Sequence, residues 1–217
     1  MSAPNSGPGL CLPTHQLSIR PVQAVIELGA IADVLHSALN AVHHANRSGT
    51  PNNRIAVALP TMHVHRGIAR PGTEIVVFGS QAALERYLAL EGTQRLARRG
   101  MVKDLNVMEA IGQPGERGTA YLRDRQVARR SPGAVRRAKA RAERRGVTMS
   151  DKMVSRPTSH AVLALHFGSA VVHVRAIEAE ISAGPLLIGT YGFSAVGNPA
   201  VLPILADNSK FSLEDAA

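Results

Sequence analysis

Residues 15–59 have the sequence HQLSIRPVQAVIELGAIADVLHSALNAVHHANRSGTPNNRIAVAL, in which a helical pattern stands between two strand patterns. His15–Pro21 alternates weakly between polar and apolar residues and predicts a first short strand. From Val22 to about His44 the apolar residues recur at helical spacing, and the polar run Arg47–Pro51 ends that pattern. Ile55–Leu59 is then an apolar strand. The stretch therefore predicts a strand, a long helix and a second strand.

The following residues repeat this arrangement. After a basic loop, Glu74–Phe78 predicts another strand, and Ser80 is a suitable N-cap for a helix from about Gln81 to Arg98. A further strand is predicted at Leu105–Ala110. This succession favours an α+β fold whose N-terminal half, residues 15–110, is ferredoxin-like.

The C-terminal half, residues 111–205, is less regular and predicts a mixed domain. Strands are predicted at Tyr121–Val127, His160–Leu165, Val171–Glu180, Leu187–Tyr191 and Val201–Leu205. Residues 1–14 are expected to form a flexible leader and residues 206–217 a flexible tail, because both are poor in apolar periodicity.

Positive charge is concentrated in one segment of this half. The chain carries 25 Lys and Arg against 16 Asp and Glu, a formal charge of +9, which favours a polyanionic partner such as nucleic acid. Ten of those 25 cations lie between Arg123 and Arg145, with only Asp124 and Glu143 to oppose them. Alanines at every fourth position predict that residues 132–146 form an arginine-rich helix. A helix that serves only solubility is the alternative, although such helices usually mix both signs of charge.

Composition also restricts the class of partner. Three Tyr, four Phe and no Trp provide few platforms for stacking single-stranded bases. Duplex RNA hides its major groove except near loops and ends, so an arginine helix favours an RNA hairpin. The longest apolar stretch, Ala161–Ala179, is interrupted by His166, His173 and Arg175, which argues against a membrane partner. Residues 1–13 lack the basic residues and the long apolar run of a secretory signal, so a cytoplasmic location is expected. The single Cys11 is expected to be a surface thiol.

Nine histidines offer candidates for proton transfer. His36, His43 and His44 lie on the first helix, but no HExxH glutamate or cysteine pair accompanies them, so no metal or other cofactor is expected. A neutral imidazole can instead take the proton from an RNA 2′-hydroxyl. Residue pattern alone does not select among the histidines, and His160, His166 and His173 stay open as alternatives.

Five strings, in a shared order and spacing, resemble the CRISPR repeat endoribonucleases of the type I-F (Csy-type) family. They are Leu35–Leu39, Arg54–Pro60, Tyr121–Arg145, Thr190–Ser194 and Val201–Leu205. The resemblance spans most of the chain and implies a metal-independent endoribonuclease of antiviral defence. Such an enzyme cleaves precursor RNA at the base of the repeat hairpin and leaves a cyclic phosphate. It then stays on the 3′ hairpin of the guide RNA within an RNA-guided effector complex.

The resemblance also implies roles for individual residues. His36 corresponds to the general base and Tyr191 to a tyrosine near the active site. Arg125 corresponds to an arginine that reads guanine, while Gln126 stands one residue before the position where the family has glutamine. The expected RNA-binding residues are Arg123, Arg125, Gln126, Arg129, Arg130, Arg136, Arg137, Lys139, Arg141, Arg144 and Arg145.

One departure from the family concerns a catalytic serine. The corresponding residues 164–168 are Ala-Leu-His-Phe-Gly, so Ser169 or His166 would have to substitute for it. Without a substitute, the chain is a weakened nuclease, a relative from type IV CRISPR systems, or a non-catalytic subunit that binds RNA hairpins. A general nucleic-acid or ribosome-associated protein is the remaining alternative, and its binding would follow salt and length alone.

Overall fold

The computed structural model describes residues 7–125, 132–147, 161–167 and 170–203. Its strands are β1 (Gly9–Cys11), β2 (His15–Ile19), β3 (Ala56–Ala58), β4 (His63–His65), β5 (Ile68–Arg70), β6 (Ile75–Gly79), β7 (Val107–Glu109), β8 (Arg117–Arg123), β9 (Leu163–Phe167), β10 (Ala170–Glu180), β11 (Leu186–Ile188), β12 (Ser194–Ala195) and β13 (Val201–Pro203). Its helices are α1 (Gln23–Glu27), α2 (Ile31–Ser48), α3 (Gln81–Leu88), α4 (Glu91–Arg98) and α5 (Pro132–Glu143). The predicted α+β class is confirmed.

The N-terminal half is built on a four-stranded antiparallel sheet in the order β3-β6-β2-β7. Strand β6 is buried along its whole length, as expected for a central strand with helices on it. Helix α3 contacts β2 and β6, and α2 contacts both α3 and α4. As predicted, the Ser80 side chain caps α3 by accepting a hydrogen bond from the Ala83 N–H at 3.2 Å.

The fully buried side chain of Asn46 links helix α2 to the sheet through hydrogen bonds. Its side-chain oxygen accepts from the Ile55 N–H at 2.7 Å, and its amide nitrogen donates to the Ile55 carbonyl at 2.9 Å. Both backbone groups belong to Ile55, which precedes β3 and is fully buried. No water can therefore replace Asn46 as their hydrogen-bond partner. The last turns of α2 are thereby fixed against the start of β3.

Both long helices of the N-terminal half are interrupted where the sequence predicted continuity. Between α1 and α2, Gly29 takes a left-handed φ of 69°, and Leu28 before it is 82% exposed. The second predicted helix is divided into α3 and α4 at Leu90, whose backbone is extended with ψ of 138°. The predicted basic loop is a hairpin of β4 and β5, whose turn residues Arg66 and Gly67 both have positive φ.

The expectation of a flexible leader is wrong for Gly9–Cys11, which pairs with β11. Its other edge is held by the Leu10 N–H, which donates to the Pro51 carbonyl, and by the Leu10 carbonyl, which accepts from the Arg54 N–H at 2.9 Å. Cys11 is fully buried rather than a surface thiol, and burial raises its pKa to about 12. Three residues are too few to show the alternation typical of a strand, so the sequence pattern did not predict β1.

The C-terminal half contains a second sheet in the order β12-β8-β10-β9, with β13 also paired to β8. One of its faces contributes Tyr121, Leu165 and Val174 to the main core of the protein. The opposite face forms a small separate cluster around Leu122 and Val201. Because β8 contacts β3 and β9 contacts α2, the two halves meet at the end of α2.

Helix α5 ends at Glu143, three residues before the predicted end at position 146. None of the helices that the structure describes is long and apolar enough to cross a membrane. Gln126, Arg129, Arg130 and Ser169, like the predicted tail, lie outside the described residues.

We predict that Asn46→Ala lowers the free energy of unfolding by about 2–4 kcal/mol, because it leaves a buried N–H and a buried carbonyl unpaired. Urea unfolding followed by circular dichroism measures this. Asn52→Ala, at an exposed position of the following loop, is the control and should change stability by less than about 0.5 kcal/mol. If both variants lose the same free energy of unfolding, the hydrogen bonds of Asn46 do not stabilise the contact between α2 and β3.

Candidate functional site

Four side chains from different elements meet where the two halves join, and we call them the histidine–tyrosine cluster. The imidazole of His43 on α2 stacks on the ring of Tyr191, with centroids 4.3 Å apart and planes inclined by 9°. The guanidinium carbon of Arg123 lies 4.7 Å from the Tyr191 ring centroid, and Phe167 meets the same ring edge-on at 4.8 Å. Since His43 covers one face of the phenol, Arg123 must lie over the other.

The tautomer of His43 follows from its hydrogen bond. Its Nδ1 lies 3.3 Å from the Thr190 carbonyl oxygen, which can only accept, so Nδ1 carries the hydrogen. In the neutral ring Nε2 is then the unprotonated nitrogen. That nitrogen can accept a proton from a bound substrate.

The environment of His43 favours the neutral ring. Its pKa is lowered from the ordinary value of 6.5 mainly by burial, with smaller contributions from the charges of Arg47, His44 and Arg123. The carbonyl of Thr190 acts in the opposite direction and only partly offsets the burial. At neutral pH the imidazole is therefore a base rather than a cation.

Tyr191 is held in place by a tight turn after β11. The Gly192 N–H donates to the Gly189 carbonyl at 3.0 Å, and the Gly192 carbonyl accepts from the Val57 N–H at 2.9 Å. Gly192 has a φ of 83°, and a Cβ on it would lie 2.4 Å from the Val57 side chain. Only glycine satisfies both conditions, so the turn can dock on β3 and aim Tyr191 at α2.

Arg123 comes from the end of β8 and lies between the cluster and an adjacent cavity. Burial lowers the pKa of its guanidinium, which nevertheless remains charged. The cavity has a volume of about 480 Å³ and is lined by Arg123, Arg125, Leu187, Thr190, Tyr191 and Val196, among others. Its mouth includes the exposed Arg125.

The structure brings together only some of the residues that the sequence singled out. Tyr191 and Arg123 belong to the cluster, with Arg125 nearby, but the histidine that meets them is His43. His36 lies seven residues earlier, about 10 Å along the helix axis, where its Nε2 is 2.7 Å from the Asn40 side-chain nitrogen. The two histidines share a helix face, so helical spacing alone could not distinguish them.

His166 is exposed, whereas the neighbouring Phe167 is buried in the cluster. Successive side chains on a strand point to opposite faces, so His166 cannot share the surroundings of Phe167. Phe167 was not predicted as a site residue. The sequence signal for it was the alternating burial expected along β9, in which positions 163, 165 and 167 share one face.

The remaining predicted RNA-binding residues lie on or just after α5. The side chains of Arg136, Arg137, Lys139, Arg141, Arg144 and Arg145 are exposed. Two of them fold back on the helix, with Arg141 donating to the Arg137 carbonyl and Arg144 to the Ala140 carbonyl, each at 3.2 Å. Exposed guanidinium groups side by side on one helix are what a phosphate-binding surface requires.

No family model matches the chain, and no curated protein was found to match it. Within the part of the chain that the structure describes, no group of three or more His, Cys, Asp and Glu side chains could hold a metal ion.

We predict that Gly192→Ala lowers the free energy of unfolding by about 2–4 kcal/mol, because the methyl group must displace β3. Gly184→Ala is the matched control, since Gly184 also has a positive φ, of 96°, but nothing lies within 4 Å of its Cβ position. Gly184→Ala should lower the free energy of unfolding only through backbone strain, by about 1 kcal/mol. Chemical denaturation compares the two, and equal losses would refute the docking of Gly192 on Val57.

We also predict that Tyr191→Ala raises the pKa of His43 toward 6.5, because removing the stacked ring returns the imidazole to water. NMR titration of the His43 ring protons measures the shift, and Tyr191→Phe, which keeps the stack, should retain the low pKa. In the wild type the unfolded chain binds this proton more readily, so the free energy of unfolding falls as the pH drops below 6.5. An unchanged pKa in Tyr191→Ala would exclude the ring as the source of the desolvation.

Proposed function

We propose that the protein is a metal-independent endoribonuclease that cleaves CRISPR precursor RNA at the base of the repeat hairpin. The observation that carries this proposal is His43 stacked on Tyr191, with its Nδ1 committed to a carbonyl and Arg123 across the same ring. A neutral base beside a cation is what transfer of a 2′-hydroxyl proton next to a phosphate requires. The proposal transfers the role of general base from His36 to His43.

The architecture agrees with this proposal. The strand order β3-β6-β2-β7, with helices after β2 and β6, supports the proposal that this half is a ferredoxin-like βαββαβ unit. That unit supplies α2 and therefore His43. The C-terminal sheet supplies Arg123 and leads toward the cationic helix α5, so base and cation come from different halves of the protein.

The proposed reaction needs one proton acceptor and one source of positive charge. His43 Nε2 takes the proton from the 2′-hydroxyl on the 5′ side of the cut, and the 2′-oxygen forms a bond to phosphorus. The bond from phosphorus to the 5′-oxygen breaks, and that oxygen takes a proton from water. The hydroxide that remains takes the proton from His43 and restores the neutral imidazole. Arg123 stabilises the negative charge that builds up on the phosphoryl oxygens. The products are a 2′,3′-cyclic phosphate and a 5′-hydroxyl.

Helix α5 would hold the RNA stem through its phosphates, and Arg125 would approach a base edge near the cut. Cleavage does not alter the contacts to the stem, so the 3′ hairpin stays bound after the reaction. The protein would then remain on the guide RNA as a subunit of an RNA-guided effector complex in the cytoplasm. Whether that complex belongs to a type I-F or a type IV system depends on partners outside this chain.

A non-catalytic hairpin-binding subunit is the second candidate, and one observation favours it. Strand β9 brings Phe167 rather than a hydroxyl group to the edge of Tyr191, so no serine on the described part of that strand can assist His43. In this case α5 would bind the hairpin as tightly, and the cluster would serve only to join the two halves.

We expect wild-type protein with EDTA to cut labelled hairpins from a panel of type I-F and type IV CRISPR repeats, leaving a cyclic phosphate. His43→Ala should lower the single-turnover rate about 100-fold or more through loss of the general base, with hairpin affinity kept within about threefold. His36→Ala is the matched control from the same helix and should retain cleavage.

Gel resolution of the products and filter binding give both quantities, and each alternative has its own outcome. Tight hairpin binding without any cut would support the non-catalytic subunit. Loss of cleavage in His36→Ala but not in His43→Ala would restore the role first assigned to His36. Equal binding of unpaired RNA of the same length would indicate a general nucleic-acid protein.

A further inference from the structure

The cavity beside the histidine–tyrosine cluster has the size and chemistry of a nucleotide site. Its volume of about 480 Å³ lies within the range of small-molecule sites, roughly 300–1,000 Å³. It lies between the end of β8, the turn after β11 and the residues that begin β12. Of the residues given a role in the proposed function, Arg123 and Arg125 line this cavity, and Tyr191 lines it as well.

The walls combine exposed apolar surface with positive charge. Leu187 and Val196 line the cavity and are 36% and 45% exposed, a high value for large aliphatic side chains. Arg123 and Arg125 line it as well, together with the buried Asp124, so cations outnumber acids two to one in its wall. A nucleotide matches both properties, because the faces of its base are apolar and its phosphate accepts hydrogen bonds from guanidinium groups.

Arg123 belongs to both the histidine–tyrosine cluster and the wall of the cavity. Its guanidinium lies over Tyr191, opposite His43, and also lines the cavity. A phosphate held by Arg123 would therefore join two nucleotides on different sides of it. One would lie toward the imidazole, and the other would lie in the cavity. The cavity thus lies where the chain of an RNA continues beyond the scissile phosphate.

We infer that this cavity binds the unpaired nucleotide on the 3′ side of the cut, and that this contact sets the cleavage position. The inference rests on the proposed function. In a cut at the base of a hairpin, the nucleotide on the 5′ side closes the stem and its base is paired. Only the nucleotide on the 3′ side is free to leave the helix and enter a pocket.

The cavity can be filled by a substitution at a residue outside the histidine–tyrosine cluster. Leu187→Trp places an indole in it, and Leu10→Trp is the matched control. Leu10 is the direct cross-strand partner of Leu187 and is also 36% exposed, but it does not line the cavity. The two substitutions therefore make the same change on the same small sheet.

The test compares kcat/KM for a repeat hairpin extended by three 3′ nucleotides with the same RNA made abasic at the first of them. Loss of the base should lower kcat/KM roughly tenfold in the wild type, as expected for one base contact. Leu187→Trp should lower it similarly for the intact RNA and remove the difference between the two RNAs. Leu10→Trp should behave as the wild type.

Affinity for the hairpin that ends at the cut separates the possible failures. We expect this affinity to be the same in wild type, Leu187→Trp and Leu10→Trp. If every hairpin is cut but the abasic RNA is cut equally well, the nucleotide site is refuted and the proposed function stands. If no hairpin is cut by the wild type, both are refuted together.

Discussion

The docking of the Gly189–Phe193 turn on β3 is the contact on which the candidate site depends. It consists of one backbone hydrogen bond, from the Val57 N–H to the Gly192 carbonyl, at a place where no Cβ can be accommodated. Strand β3 is in turn connected to α2 through Asn46. The C-terminal turn and the N-terminal helix are thus positioned by the same strand, and Tyr191 meets His43 as a consequence.

The same contact decides the chemistry of the imidazole. A histidine on the surface of α2 would be solvated and would titrate near its ordinary pKa, whereas the Tyr191 ring and the Thr190 carbonyl remove water from one side of His43. Burial then favours the neutral ring, and the carbonyl fixes which nitrogen carries the hydrogen. Arg123 adds a positive charge across the phenol. The contact that joins the two halves therefore also favours the neutral form of the His43 imidazole.

Sequence patterns predicted the elements better than the site. Long runs such as Ile75–Gly79 and Ala170–Glu180 were confirmed almost to the residue, because a buried strand or an alternating strand repeats over many positions. The breaks at Gly29 and Leu90 were not predicted, since the apolar spacing continues across them. His36 remains a prediction from the resemblance, and it lies two turns before His43 on the same helix face. The sequence pattern could not single out His43, because residues seven apart share a helix face and only the long-range contact to Thr190 distinguishes it.

The division of cationic residues between two places follows from what each must do. On α5 the guanidinium groups are exposed and repel one another, so they gain most from a polyanion and contribute to affinity in a salt-dependent way. Arg123 is partly buried and stacked, so its position is fixed before any ligand arrives and little ordering is required when a phosphate binds. Under the proposed function, an exposed cationic surface suits the capture of an RNA stem, whereas a fixed cation suits the stabilisation of charge at one phosphorus. Under the proposed function, a substitution on α5 would therefore change RNA binding and a substitution of Arg123 would change the chemistry.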